Sequence, residues 1–135
     1  MTAPTVLFVC IHNAGRSQMA AGYMKALSDG AVQVLSGGSE PGNQINPIAI
    51  QAMQEEGIDI TGSVPQLLST DHVQASDAVI TMGCGDVCPL FPGKRYEDWE
   101  LTDPAGKTLD EVRPIRDDIK VRVQALLAEL RPTTA

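Results

Sequence analysis

The sequence predicts an α/β fold in which one parallel β-sheet lies between two layers of helices. The segment 5–9, TVLFV, is apolar and rich in β-branched residues, which is typical of a central parallel strand buried on both faces. The segment 77–82, DAVITM, has the same character, and stretches with helical spacing of apolar residues alternate with such runs. Ligands of parallel sheets bind beyond the carboxyl ends of the strands, so functional residues are expected there.

The first part of the chain is predicted to form a strand, a short loop, a helix and a second strand. The first strand ends at Cys10. Apolar residues recur at spacings of three and four over 17–27, which predicts a helix, and an Asp-Gly pair after it is a stop signal. A second strand is predicted over 32–35, before a Ser-Gly-Gly sequence.

The rest of the chain continues this alternation. Asn46 and Pro47 are typical of an N-cap and a first helical residue, and the helix that they open is predicted to reach Glu56. A short helical region is predicted over 64–68 and 71–76, with Asp71 as its cap. Strands follow at 77–82 and near 96–99. A C-terminal helix is predicted through 115–130, with Pro114 near its first turn.

Composition and charge indicate one domain and disfavour several kinds of partner. A chain of 135 residues with 43% hydrophobic residues suits a single domain over 1–135. Its 17 acidic and 10 basic residues give a formal charge of −7, which disfavours binding to nucleic acid or to anionic membranes. The sequence lacks an apolar run of membrane-spanning length and a signal-peptide pattern, so a cytoplasmic location is expected. Three cysteines cannot all pair within one chain, which also favours a reducing compartment.

The segment between the first strand and the first helix has the features of an anion-binding loop. Five residues separate Cys10 from Arg16 in the pattern C-x5-R-S, namely Ile11, His12, Asn13, Ala14 and Gly15. Amide groups of such a loop can converge at a helix N-terminus, where the helix dipole also favours an anion. Arg16 can bind two oxygens of that anion, and the positive environment favours the nucleophilic thiolate of Cys10. Ser17 can donate a hydrogen bond to the sulfur, and Asn13 can brace the loop.

The position of this pattern favours a functional loop over a buried cysteine that happens to precede a surface arginine. The nucleotide-binding pattern G-x4-G-K-[ST] is absent from the sequence. The loop resembles that of the low-molecular-weight protein tyrosine phosphatases and of the arsenate reductases built on the same fold. This resemblance extends over nearly the whole chain, with further motifs at 80–104 and 112–118. It implies a three-layer α/β/α fold with a four-stranded parallel sheet.

The resemblance also implies roles for residues far from the loop. Asp103, in an Asp-Pro pair, corresponds to the general acid that protonates an oxygen leaving a tetrahedral anion, although an Asp before a Pro can simply begin a turn. Cys84 and Cys88 are four residues apart, a separation that a disulfide tolerates with some adjustment of a helix. Two inert cysteines are an alternative. A zinc site is disfavoured because a second close pair of ligands is missing.

These two cysteines distinguish two activities of the family. A phosphatase needs Cys10, Arg16 and Asp103 to hydrolyse phosphate monoesters through a phosphocysteine, whereas reducing arsenate to arsenite takes two electrons from thiols. In thioredoxin-linked arsenate reductases three cysteines act in turn, and the resemblance assigns these roles to Cys10, Cys84 and Cys88. In other relatives a small thiol such as mycothiol joins arsenate on the first cysteine, and a glutaredoxin-like protein receives the adduct. In that scheme the other two cysteines are spectators.

Arsenate reduction is the predicted function. Ala105 and Gly106 follow the Asp-Pro pair where phosphotyrosine phosphatases usually have tyrosines, which indicates a pocket for a small free anion such as arsenate, with phosphate or sulfate as analogues. A low-molecular-weight phosphatase is the alternative, and a noncatalytic anion-binding module is disfavoured by the intact loop. A thiol reductant is expected as co-substrate, with no tightly bound cofactor or metal. Ala21 stands where the family's potassium-binding members have a glutamate.

Overall fold

A four-stranded, fully parallel sheet forms the centre of the protein. The computed structural model describes residues 4–82, 95–102, 104 and 106–130, so that Cys84, Cys88 and Asp103 lie outside the described residues. The strand order is β2-β1-β3-β4, with β1 at Thr5–Cys10, β2 at Gln33–Gly38, β3 at Ala78–Met82 and β4 at Arg95–Asp98. The predicted α/β fold with a four-stranded parallel sheet is confirmed.

Helices cover both faces of the sheet, in agreement with the predicted three layers. The described helices are α1 at Arg16–Ser28, α2 at Pro47–Gln54, α3 at Thr70–Ala75 and α4 at Leu109–Leu130. Val6 and Phe8 of β1 belong to the core that α1, α2 and α4 form on one face. Leu7 and Val9 point to the other face, where Val73 of α3 packs against them. All six residues of β1 are buried, which explains why its sequence shows no polar alternation.

The second strand is longer than predicted. It was expected to end at residue 35, but β2 continues through Gly37 and Gly38. Its last residue pairs with Cys10, the last residue of β1. Lateral pairing with a central strand therefore outweighs the usual tendency of glycine to end a strand.

The C-terminal helix begins earlier than predicted. Pro114 was expected near the first turn, but α4 starts at Leu109 and the proline lies inside the helix. A reciprocal pair of hydrogen bonds between Thr108 and Glu111 fixes the start of α4. The backbone N–H of Thr108 donates to Glu111 Oε1 over 3.0 Å, and the N–H of Glu111 donates to Thr108 Oγ1 over 3.3 Å. This is a capping box, which satisfies amide groups that a helix start leaves open.

The predicted helical region over 64–68 is wrong. The backbone N–H of Gly38 donates to the carbonyl of Gln66, and the N–H of Leu68 donates to the carbonyl of Gly38, both over 2.8 Å. These bonds hold the segment extended beside the end of β2. The helix is confined to α3, where Ser69 is the N-cap and Asp71, the predicted cap, lies in the first turn. Among the described helices, none combines the length and apolar character needed to cross a membrane.

Candidate active site

Cys10 and Arg16 meet at the carboxyl edge of the sheet, as the sequence pattern predicts. Cys10 is the last residue of β1 and Arg16 is the first residue of α1, and the loop 11–15 joins them. Both side chains are buried, with 2% and 6% of their surface exposed. They line a cavity together with His12, Ala14, Gly15, Asn46 and Pro104.

Hydrogen bonds from outside the loop hold its carbonyl groups in place. The N–H groups of Glu40, Gly42 and Asn46 donate, in that order, to the carbonyls of Ile11, His12 and Ala14, at 2.8, 2.9 and 2.8 Å. Because C=O and N–H point in opposite directions across a trans peptide, fixing these carbonyls also fixes the amide groups of the loop. The first turn of α1 adds N–H groups that have no partner within the helix. The loop is therefore built to present donors to an anion.

Gly38 allows the loop to lie directly against the end of β2. A Cβ atom at this position would stand 2.6 Å from the carbonyl oxygen of Ile11 and 2.9 Å from the backbone nitrogen of Asn13. Both atoms belong to the backbone of the anion-binding loop and cannot rotate away. The absence of a side chain at this position is thus a requirement of the site.

The sulfur of Cys10 accepts hydrogen bonds from two sides. The backbone N–H of Asn13 donates to Sγ over 3.2 Å, and Ser17 Oγ lies 2.9 Å from Sγ. Asn13 Nδ2 donates to Ser17 Oγ over 2.6 Å, and the Asn13 amide cannot be reversed because the N–H of Gln66 donates to its Oδ1 over 2.9 Å. The hydroxyl proton of Ser17 is then available to the sulfur, because the bond from Asn13 uses only a lone pair of the oxygen. The contacts with Asn13 and Ser17 thus converge on the sulfur of the predicted nucleophile.

Arg16 connects the loop to the chain segment that carries the predicted acid. Its Nη1 donates to the carbonyl of Leu101 over 3.3 Å. Three residues further on, Pro104 packs so closely against Gly15 that a Cβ at the glycine would meet it at 2.7 Å. Leu101 and Pro104 therefore both lie close to the anion-binding loop, and Pro104 lines the cavity.

The cavity beside Cys10 is small. Its volume is about 40 Å³, compared with about 270 to 430 Å³ for four shallower clefts on the described surface. A buried cationic side chain and a ring of amide groups favour an anion, and the size favours a compact one. The described residues that line it are small or polar apart from Pro104, and they include no tyrosine or tryptophan.

The structure brings most of the predicted site residues together and adds several that the sequence did not single out. Cys10, Arg16, Ser17 and the loop 11–15 form one cluster, whereas Asp103, Cys84 and Cys88 lie outside the described residues. Sequence reasoning missed the segment 40–46 and Gly38, which support the loop through their backbone. Backbone N–H groups can support the loop whatever the side chains are, so the residue types of 40–46 do not reveal this role. Only Gly38 is visible in the sequence, because a close backbone approach requires glycine.

Comparison with known proteins identifies the family. The model of the low molecular weight phosphotyrosine protein phosphatase family matches residues 5–134. The chain belongs to this family. Within it, the chain is 39% identical over 128 residues to a protein of Synechocystis described as a glutaredoxin arsenate reductase, covering 93% of this chain and 97% of that one.

Solved structures of the family show the same fold. The Corynebacterium glutamicum thioredoxin-dependent arsenate reductase superposes with a TM-score of 0.83 at 41% identity, over 96% of this chain. This chain spans 62% of the length of that protein. An arsenate reductase in its phosphate-binding state superposes with a TM-score of 0.85 at 38% identity, over 95% of this chain and 99% of that one.

Proposed function

We propose that this protein is an arsenate reductase that uses Cys10 as its nucleophile. The observation that carries the proposal is the Cys10 sulfur, which accepts hydrogen bonds from Ser17 and from the N–H of Asn13 at the base of a pocket for one small anion. Relatives with nearly 40% identity over most of the chain are named arsenate reductases, and one of them was solved in a phosphate-binding state. Arsenate has the charge and shape of phosphate, so the same loop suits both.

The first step is attack on arsenate. The thiolate of Cys10 forms a sulfur–arsenic bond while one arsenic–oxygen bond breaks. That oxygen leaves as water once it is protonated, and Asp103 is the proposed donor of the proton. Arg16 and the amide groups of the loop hold the other oxygens and stabilise the charge that develops on them. Arsenic remains in its pentavalent state through this step.

The second step transfers two electrons from sulfur to arsenic. A second thiolate attacks the Cys10 sulfur, a disulfide forms, and the sulfur–arsenic bond breaks with its electron pair remaining on arsenic, which leaves as arsenite. Cys84 is the proposed attacker, and Cys88 then displaces Cys10 from the disulfide. The resulting Cys84–Cys88 disulfide is reduced from outside by a thioredoxin-type protein. In this scheme each turnover consumes one external dithiol.

A small thiol offers a second route for the electrons. Mycothiol or a similar compound would replace Cys10 on arsenic, and a glutaredoxin-like protein would attack the sulfur of the released adduct to give arsenite and a mixed disulfide. The names of the relatives include both thioredoxin and glutaredoxin. Either route needs thiols that stay reduced, so we place the reaction in the cytoplasm.

Arsenate reduction is favoured over hydrolysis of phosphate monoesters. Both activities need the Cys10 loop, so the loop does not distinguish them. The relatives named above at 38% to 41% identity are arsenate reductases.

Arsenate-dependent oxidation of NADPH tests the proposal. The full chain is assayed with thioredoxin and its reductase, and separately with mycothiol or glutathione and the matching glutaredoxin system. We expect arsenite to accumulate with at least one system, and we expect Cys10→Ser to abolish it because serine is a poor nucleophile at neutral pH. The proposal is wrong if arsenate stays intact with every system while p-nitrophenyl phosphate is cleaved rapidly.

A further inference from the structure

Gln18 is a buried polar residue to which the proposed chemistry assigns no role. It is the third residue of α1, and only 3% of its surface is exposed. A buried carboxamide is costly unless its polar atoms are hydrogen-bonded. Gln18 Nε2 donates to the backbone carbonyl of Asn13 over 3.0 Å and to Asn13 Oδ1 over 3.2 Å. Both bonds therefore go to one residue of the anion-binding loop.

The bond to the carbonyl bears on the backbone of the loop. Asn13 has a φ of 50°, in the left-handed region that residues other than glycine seldom adopt. Its carbonyl shares a peptide plane with the N–H of Ala14, which lines the cavity. Because the two groups point in opposite directions, holding the carbonyl on Gln18 turns the N–H of Ala14 the other way. Gln18 thus helps to fix one of the amide groups that the loop offers to an anion.

The bond to Oδ1 bears on the sulfur. Asn13 Oδ1 accepts from Gln18 and from the N–H of Gln66, which keeps the Nδ2 group of the same amide directed at Ser17 Oγ. The hydroxyl proton of Ser17 can then be donated to Cys10 Sγ, 2.9 Å away, and a thiolate at that position can only accept it. An unbroken series of hydrogen bonds therefore joins Gln18 to the nucleophile.

We propose that Gln18 is a positioning residue, which acts through Asn13 to keep the Ser17 proton on the Cys10 sulfur and the Ala14 amide group on the anion. The inference rests on the proposed function, since Cys10 is the nucleophile of that reaction. Arg16 and His12 are the charged and titratable side chains that line the Cys10 cavity in the described part of the chain. Gln18→Met leaves both of them in place and adds no charge, so this variant tests the hydrogen bonds alone.

Alkylation of Cys10 by iodoacetamide tests this inference without arsenate. The rate is measured from pH 6 to pH 10 in a chain that carries Cys84→Ser and Cys88→Ser, so that Cys10 is its only thiol. Gln18→Met keeps the length of the side chain but removes the donor, whereas Gln18→Glu replaces the donor by an acceptor and adds a negative charge. We expect both to lower the alkylation rate at neutral pH about tenfold, and we expect the difference from the unaltered side chain to shrink as the pH rises. The matched control is Gln54→Met on the exposed surface of α2, which should change nothing.

Two further measurements separate positioning from a general loss of structure. The phosphate concentration that halves the alkylation rate should rise several-fold in Gln18→Met, because the Ala14 amide is no longer fixed. In a chain that already carries Asn13→Gly, Gln18→Met should lower the alkylation rate by a smaller factor than it does alone. The reason is that the Asn13 side chain, through which Gln18 acts on Ser17, is already missing. If the variants do not fold, the side-chain amide protons of Gln18 in the unaltered protein should still be protected from solvent exchange.

The result that would overturn the inference is a folded Gln18→Met chain whose alkylation and phosphate protection match those of Gln54→Met. Full additivity with Asn13→Gly, or rapid exchange of the Gln18 amide protons, would overturn it as well. Failure of the proposed function looks different. A protein that leaves arsenate intact but shows the expected alkylation pattern would keep Gln18 in its role and lose the assignment as a reductase.

Discussion

Replacing Gly38 by alanine is the sharpest structural test of the loop. The new Cβ would lie 2.6 Å from the carbonyl oxygen of Ile11, whereas contacts of a Cβ atom below 3.0 Å essentially never occur. The loop or the end of β2 must therefore move by at least the difference of 0.4 Å between these two distances. A second contact, at 2.9 Å to the backbone nitrogen of Asn13, blocks a simple sideways shift.

The expected cost follows from this forced movement. Adding a methyl group to a closely packed region costs about 1 to 3 kcal/mol, which outweighs the roughly 0.4 to 1 kcal/mol gained by stiffening the unfolded chain. Displacement of catalytic groups by up to about 1 Å can lower a rate about a hundredfold. We therefore expect Gly38→Ala to lower the free energy of unfolding and to lower kcat/KM for arsenate by about tenfold to a hundredfold.

Gly62→Ala is the matched control, because a Cβ at this position has no atom within 4 Å. Unfolding by urea can be followed through the fluorescence of Trp99, the single tryptophan of the chain, which is buried. Steady-state arsenate reduction gives kcat/KM for both variants. The reasoning fails if Gly38→Ala unfolds at the same urea concentration as Gly62→Ala and reduces arsenate equally well.

Three further predictions concern separate parts of the molecule. Ser17→Ala should lower kcat about tenfold and leave KM for arsenate within about twofold, because the hydroxyl donates to the sulfur and not to the anion; steady-state kinetics measure the split. Cys84→Ser and Cys88→Ser should each stop thioredoxin-supported turnover if the internal disulfide forms, whereas unchanged turnover of both variants with a mycothiol or glutathione system would indicate the small-thiol route. Hydrogen bonds from Arg113, which has the larger effect, and from Arg116 lower the pKa of Glu55 from 4.5 to about 2. Because the pKa is lower in the folded chain, this stabilisation is complete above pH 4.5 and is lost as the pH falls toward 2, so Glu55→Gln should flatten the acid limb of the unfolding free energy in that range.

Local signals account for the parts of the fold that the sequence predicts well. The strand that ends at Cys10, the loop and the start of α1 are contiguous, and each is marked by its own residues. The capping box at Thr108 and Glu111 is a local signal of the same kind, and it would have placed the start of α4 correctly. Proline is common in the first turn of a helix, so Pro114 alone predicts a start that is too late.

Contacts between distant segments account for the parts that the sequence did not predict. β2 continues through Gly38 because β1 pairs with it, and 64–68 stays extended because Gln66 and Leu68 bond to the same glycine. Gln18 escapes a search for apolar periodicity because it is polar, and its burial arises only when the loop folds over it. Long-range pairing of this kind leaves no trace in a local window of sequence.

Protection of Cys10 by arsenate tests most directly whether the loop holds a tetrahedral oxyanion against the sulfur. Cys10 is alkylated in the chain that has it as its only thiol, at neutral pH, with increasing arsenate, and the labelled peptide is counted by mass spectrometry. The account predicts that the labelled fraction of Cys10 falls with increasing arsenate until the site is saturated. Phosphate and sulfate should also protect Cys10, each at its own concentration, whereas chloride at equal ionic strength should not. The account is contradicted if Cys10 is labelled equally with and without arsenate at every arsenate concentration.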